Sequence, residues 1–203
     1  YISVIQQFRQ AGIKNLIVVD AGKNCGQNPE YFTQYASEVL AADPEQNVVF
    51  SIHMYGFWRT LDRSFTNWTP PFVVENDLPA LREAGFPVIV GEFGWDSPAG
   101  YAGNYTAETI LQTADSAGIG WFFWSFFDKN DKPYYGVINN VCNGIGSSNL
   151  TPAGQYLIPY LQQNAQQAEY FNLVSQDTPQ TGLRLFPNPL RDQLQIEGLS
   201  QPA

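Results

Sequence analysis

The sequence predicts an α/β fold built on parallel strands, and three observations predict it. Short apolar runs of strand length alternate with segments of helical periodicity, four times over, and a last helix closes the series. The first of these runs, 15–20, is apolar enough to suit a strand covered on both faces. Each run ends in polar or aromatic residues, as the ligand-bearing ends of such strands do. A doubly wound sheet and part of a (β/α)8 barrel both fit this pattern.

The elements follow in order. "YISVIQQFRQAGIK" carries apolar residues at positions 2, 4, 5 and 8 and stops at Ala11-Gly12, which makes it a helix with its C-terminal signal. "NLIVVD", 15–20, is a strand expected to be covered on both faces. "PEYFTQYASEVLAAD", 29–43, is a helix with Pro29 at its first turn. "NVVFSIHMY", 47–55, is the second strand, and 56–72 is a long loop holding Trp58, Trp68 and Pro70-Pro71. A helix over 73–86 is restarted by Pro79, and the strand 87–92 comes after it. Residues 106–118 form a helix with Thr106 and Thr109 available to cap it, 119–127 an aromatic-rich strand, and 151–167 the last helix.

Composition narrows the function. The chain has 203 residues, a formal charge of −9 and a 15% aromatic share. Such acidity repels phosphate backbones and anionic lipid, so neither nucleic acid nor a membrane surface is an expected partner, and no apolar run has the length of a membrane span. Two distant cysteines and one histidine leave no spacing for a Cys/His metal site; no metal and no cofactor are expected. Cys25 and Cys142 are open to pairing only in an exported protein, and otherwise are ordinary small thiols. "DKNDKPYYG", 128–136, lacks the glycine and glutamate positions of a calcium loop and reads as a polar loop.

The strand ends collect Asp20 with Asn24 and Gln27, His53 with Tyr55, Glu92, and Trp124 with Ser125. His53 and Tyr55 stand two apart on one strand and share a face. Glu92 closes an apolar run between Gly91 and Phe93-Gly94-Trp95, among groups that hydrate it poorly. Any one of these residues has a plain structural explanation: a cap, an ion pair, a satisfied core histidine. For Trp121 plain core packing is the preferred reading. Trp58, Trp68 and Trp95 lie in predicted loops, where flat indole faces suit the C–H faces of sugar rings. Together the set points to a carbohydrate site.

"NLIVVDAGKNCGQ", "NVVFSIHMYG", "PVIVGEFGW" and "GIGWFFWSFF", in this order and spacing, resemble glycoside hydrolase family 5 over about residues 1–165, the bacterial endo-β-1,4-mannanases first and the endo-β-1,4-glucanases next. The resemblance implies strands five to eight of a (β/α)8 TIM barrel, and a retaining glycosidase acting on a β-linked polysaccharide. It implies Glu92 as nucleophile, Tyr55 as a hydrogen-bond donor to it, and His53 beside the cleavage subsite. Trp124 would be the platform under the sugar, with Asn24, Gln27, Trp58 and Trp95 as further substrate contacts. Cys25 stands where mannanases of this kind usually carry Trp, and Phe126 where a second Trp is common, so mannan and cellulose both stay open.

A retaining glycosidase needs a second carboxylate about 5–5.5 Å from the nucleophile. The family's Asn-Glu-Pro motif, which supplies that acid/base, does not occur in the sequence, and neither Asp20 nor Glu75 replaces it. Residues 1–165 are therefore expected to be the C-terminal half of a barrel whose acid/base lies outside this chain, and the start at Tyr1 without Met fits a missing N-terminal part. A decayed, sugar-binding barrel and a non-carbohydrate enzyme on an open sheet are the competing readings; the lack of a Gly-rich phosphate loop speaks against nucleotide use in the latter. Residues 166–182 are polar and Gln-rich, a linker by composition. "LRLFPNPLRDQLQIEG", within 183–203, resembles the start of the C-terminal sorting domain of the type IX secretion system in Bacteroidota. That implies a secretion-machinery partner and a secreted or cell-surface protein.

Overall fold

The computed structural model describes residues 1–61, 71–95, 107–127, 135–143, 145–167, 184–186 and 195–197. The chain divides into two units, Tyr1–Gln155 and Tyr156–Ala203. In the first, β1 (Ile17–Asp20), β2 (Val48–Met54) and β5 (Val88–Phe93) form a parallel sheet in the order β1-β2-β5. The segment after residue 119 extends it on the far side of β5. Val90 donates to the Gly120 carbonyl, Phe122 donates to Val90, and Trp124 donates to Phe93. The expected fourth strand is thus present as a partner but irregular, because beyond Trp124 its hydrogen bonds turn away from β5 to the 135–138 segment. Each strand adds to the same edge. Among the described strands the order never reverses, which fits the winding of a barrel.

Helices α1 (Ile2–Gln10), α2 (Glu30–Ala41), α3 (Val74–Glu83) and α4 (Ala107–Ser116) separate the strands. One sheet face is dry: Val19, Val48, Phe50, Ile52, Met54, Val88, Val90 and Phe93 are all buried, with Phe32 of α2 against Phe50 at 5.0 Å between rings. Asp43, at the end of the α2 region, is buried and holds this layer to α1. Arg9 Nε and Nη2 reach its two oxygens at 2.7 and 2.8 Å, and it accepts the backbone N–H groups of Glu45 and Asn47. The Arg9 guanidinium beside it holds the Asp43 carboxyl well below the usual carboxylate range.

Several expectations are corrected. The strand over 15–20 is covered on one face only: Leu16 and Val18 are exposed. On α1, Ile5 alone is buried, while Ile2, Val4 and Phe8 are exposed. The predicted loop 56–72 contains two short strands, β3 (Trp58–Arg59) and β4 (Phe72–Val73), paired in parallel; Trp68 lies outside the described residues. Pro79 does not interrupt α3, whose start is tied by Asp77 accepting the Val73 N–H. Thr106 and most of the 128–136 loop also lie outside the described residues.

α5 (Pro152–Gln167) begins in the first unit, where a side chain at Gly154 would meet the Val137 carbonyl oxygen at 2.1 Å, so only glycine lets the helix start there. It extends two residues into the expected linker, and 168–183 lie outside the described residues. In the second unit β6 (Arg184–Phe186) and β7 (Gln195–Glu197) pair antiparallel, Leu185 opposite Ile196. Among the described residues no helix is long and apolar enough to cross a membrane.

Candidate active site

The face of the sheet opposite the dry layer carries the site. In β2 the residues that face it are Val49, Ser51 and His53, alternating with the buried Val48, Phe50, Ile52 and Met54. The register pairs Ser51 with Ile89, Ile52 with Val90, and then His53 with Glu92. One extra residue, Gly91, is inserted in β5 at that point, a β-bulge. Without it, strict alternation would put Glu92 on the dry face with Val88 and Val90. With it, Phe93 enters the core and Glu92 joins His53 on the open side. Gly91 itself has no room for a side chain, since a Cβ would lie 2.0 Å from Ser51 Oγ.

At the carboxyl ends of the strands three charged or polar groups meet around Glu92. Tyr55 donates its hydroxyl to Glu92 Oε2 at 3.1 Å, and His53 Nδ1 stands 3.5 Å from the same oxygen. His53 Nε2 lies 3.3 Å from Asp20 Oδ1, at the end of β1. Tyr135 closes edge-on over Tyr55 at 6.4 Å between ring centres. Trp124 follows on the next segment, half of its surface exposed. Its backbone is anchored by the bond from its N–H to Phe93, and the Trp124–Ser125 peptide bond is cis. Trp95 is half-buried just past β5.

The loop after β1 makes an unusual approach. Lys23, Asn24 and Cys25 all have left-handed backbones, with φ of 55°, 51° and 54°, and Gly26 follows at 79°. The turn lays Gly26 against the His53 ring, where a Cβ would stand 3.0 Å from Cγ and Nδ1. Asn24 and Cys25 are exposed on this loop. Cys25 and Cys142 are both free and exposed, so the pairing that export would permit does not form.

One expected sugar contact, Trp58, falls elsewhere, and another, Gln27, is partly engaged within the protein. Trp58 is 0% exposed; it packs on Phe72 at 5.4 Å and donates its indole N–H to the Gln27 carbonyl at 3.0 Å. A ring covered on all sides offers no platform, so Trp58 is a core residue. Its burial comes from the β3–β4 pairing. Gln27 uses its side-chain oxygen to accept the Phe57 N–H at 3.1 Å, which ties the loops after β1 and β2 together. Trp121 donates to Asp115 at 2.9 Å and meets Phe93 edge-on, on the side of the sheet away from Glu92. Asp20 is the residue whose part in the cluster sequence reasoning missed. Its place at a strand end was visible, but the distance to His53 Nε2 was not.

Chemically, the cluster is a carboxylate held at one corner by a phenol and an imidazole, beside an exposed indole, at the ligand-bearing end of a parallel sheet. Comparison with known proteins gives the family. A family model described as cellulase (glycosyl hydrolase family 5) matches residues 2–130. Beta-mannanase/endoglucanase A of Caldicellulosiruptor saccharolyticus is 34% identical over 155 residues, 76% of this chain and 10% of that protein. A mannan endo-1,4-beta-mannosidase of Streptomyces lividans is 34% identical over 157 residues, 77% of this chain and 37% of that protein. The crystal structure of a beta-mannanase from Streptomyces thermolilacinus with mannohexaose superposes with a TM-score of 0.60 at 27% identity, over 76% of this chain and 45% of that one. The catalytic domain of a mannanase from Streptomyces sp. SirexAA-E gives 0.60 at 32% identity, over 76% and 44%. The chain thus spans less than half the length of these relatives, and with its matched segment covering all three sheet strands and the Glu92 cluster, it belongs to glycosyl hydrolase family 5.

Proposed function

We propose that this chain supplies the nucleophile half of a secreted, retaining endo-β-1,4-glycanase, with mannan as its favoured substrate. The observation that carries the reading is the Glu92 carboxylate, held on Oε2 by Tyr55 at 3.1 Å and faced by His53 at 3.5 Å. The phenol fixes the orientation of the carboxylate, as an attacking nucleophile requires. Because both contacts fall on Oε2, Oε1 is the oxygen for attack at the anomeric carbon. Trp124 lies beside it with an open indole face on which a sugar ring can stack. In the first step the Glu92 oxygen bonds to the anomeric carbon as the glycosidic C–O bond breaks and an acid protonates the leaving oxygen; water then cleaves the glycosyl ester.

The proton donor comes from outside these residues. Glu75 is committed to the Leu61 N–H at 3.3 Å on α3, and Asp20 is turned to His53. The exposed apolar residues support a missing barrel half. Val18, Phe122 and Phe126 are exposed on the sheet and the segment beside β5, and Tyr1, Ile2, Val4, Phe8 and Leu16 along the side of β1 and α1. Strands one to four of a barrel would cover both sets. The alternating 183–198 stretch and the β6–β7 pair support a sorting tail that hands the protein to a secretion machinery.

Mannan is favoured by the names of the relatives and by the mannohexaose bound to a structural neighbour. β-1,4-Glucan is the second reading, favoured by the relative named for both activities. Initial rates of the complete enzyme on mannan, glucomannan and carboxymethyl cellulose decide between them. Mannans ranking first is the expected result; a clear preference for cellulose makes the enzyme a glucanase of the same family.

A further inference from the structure

We propose that Asp20 is a positioning residue for the nucleophile, acting through His53; the inference rests on Glu92 being that nucleophile. The imidazole lies between two carboxylates, with Nε2 3.3 Å from Asp20 Oδ1 and Nδ1 3.5 Å from Glu92 Oε2. Carboxylates accept and do not donate, so a ring that serves both contacts presents N–H, not C–H, at each of those edges. A half-turn about the Cβ–Cγ bond would put Cδ2 where Nδ1 stands and Cε1 where Nε2 stands. With Glu92 alone, one contact would select the ring orientation. Asp20 adds a second contact on the opposite edge, so the flipped ring loses both.

The chain around Asp20 is shaped to the same end. Asp20 pairs with Ser51 in the sheet register, which places it on the face of His53, two residues further along β2. The left-handed run Lys23–Gly26 begins three residues later and returns Gly26 to the ring face. Gly91 stands on another side, its Cβ position 3.5 Å from Cδ2. Backbone therefore confines the ring on two sides, and Asp20 is the only charged group that meets its Nε2 edge among the described residues. Non-glycine residues in the left-handed region are costly and persist where the surroundings demand them. Here the demand is a close backbone approach to His53, directly after the residue that holds its far edge.

The inference separates Asp20 from the substrate contacts: its loss should slow the chemical step and leave binding alone. The test is a double-mutant cycle in the complete enzyme on soluble mannan. Asp20→Ala should lower kcat about tenfold with KM within about twofold, the scale on which side chains in contact couple. Asp20→Asn keeps an acceptor at the same reach and should recover most of that loss. In a His53→Ala background Asp20→Ala should have no further effect beyond about twofold. A full tenfold loss in that background, or a raised KM with kcat unchanged, overturns the inference and makes Asp20 a direct participant or a substrate ligand. If Asp20→Ala does not fold, Asp20→Ser, whose side chain is too short to reach His53, and its His53→Ala double variant run the same cycle, and additive losses overturn it equally. Activity retained by Glu92→Gln would instead sink the functional reading, whatever the cycle shows.

Discussion

As the proposed nucleophile, Glu92 is set apart by position more than by identity. Its distinguishing contact is the Tyr55 hydroxyl, a neutral donor to a carboxylate, and hydrogen bonds of this charged kind are worth about 1.5–3 kcal/mol. Tyr55→Phe should therefore reduce kcat by about 10- to 100-fold while the fold stays intact; steady-state rates beside an unchanged thermal unfolding curve check it. Trp124→Ala should weaken oligosaccharide binding by about 1–3 kcal/mol with little loss of stability, because half of the ring is already exposed. Calorimetric titration with mannohexaose reads the first quantity, and a collapse in stability instead would assign Trp124 to the core. At this scale the sequence was legible where strand period alone decides orientation, as for His53 and Tyr55. Trp58 was not legible, since its burial depends on a strand pairing between segments more than ten residues apart.

Among the elements, the bulge in β5 is the decisive one. Parity counted along "VIVGEF" assigns Glu92 to the face of Val88 and Val90, and only the inserted Gly91 reverses it. The glycine itself is visible in the sequence, but its role is not, because the space it needs belongs to Ser51 on the neighbouring strand. Gly91→Ala should lower both stability and kcat, and Ser51→Gly should restore part of both, since it removes the atoms that the new methyl meets. Urea midpoints and rates for the single and double variants test this, and equal damage with and without Ser51 would refute the steric cause.

The Arg9–Asp43 pair is the corresponding device on the helical side. Asp43 has a depressed carboxyl in the folded state, so its stabilisation is fully present above the ordinary carboxylate range, about pH 4, and is lost as pH falls below that. Asp43→Asn should lower the urea midpoint strongly at pH 7, leaving the Arg9 charge without its anion, and the gap to wild type should shrink progressively below pH 4. A gap independent of pH would mean that packing, not charge, carries the contribution.

For the molecule as a whole, strand order and exposed apolar surface tell the same story. The parallel order β1-β2-β5 and the segment beyond it wind in one direction, and both open sides carry apolar groups. The alternation of elements was legible because short apolar runs and helical periodicity are local signals. The one-sided covering of β1 and α1 was not, because apolar residues read as buried whether or not their partners are in the same chain segment. Residues 1–203 alone should show no glycosidase activity and should self-associate through this surface, with sedimentation and rate measurements as the check. Mixing with a separately made segment carrying strands one to four should return measurable turnover. Hydrolysis by residues 1–203 alone would place the acid/base within them.

The most direct measurement is covalent trapping in the complete enzyme. A 2-deoxy-2-fluoro-β-mannosyl fluoride, or the corresponding manno-oligosaccharide, slows both steps but lets the first proceed, so a retaining enzyme accumulates its glycosyl ester. Peptide mass spectrometry after proteolysis should then find the sugar on the peptide containing "VIVGEFGWD", on Glu92, and the Glu92→Gln variant should stay unlabelled and inactive. Label on another carboxylate, or no ester together with inverted configuration in the product, would contradict Glu92 as the nucleophile.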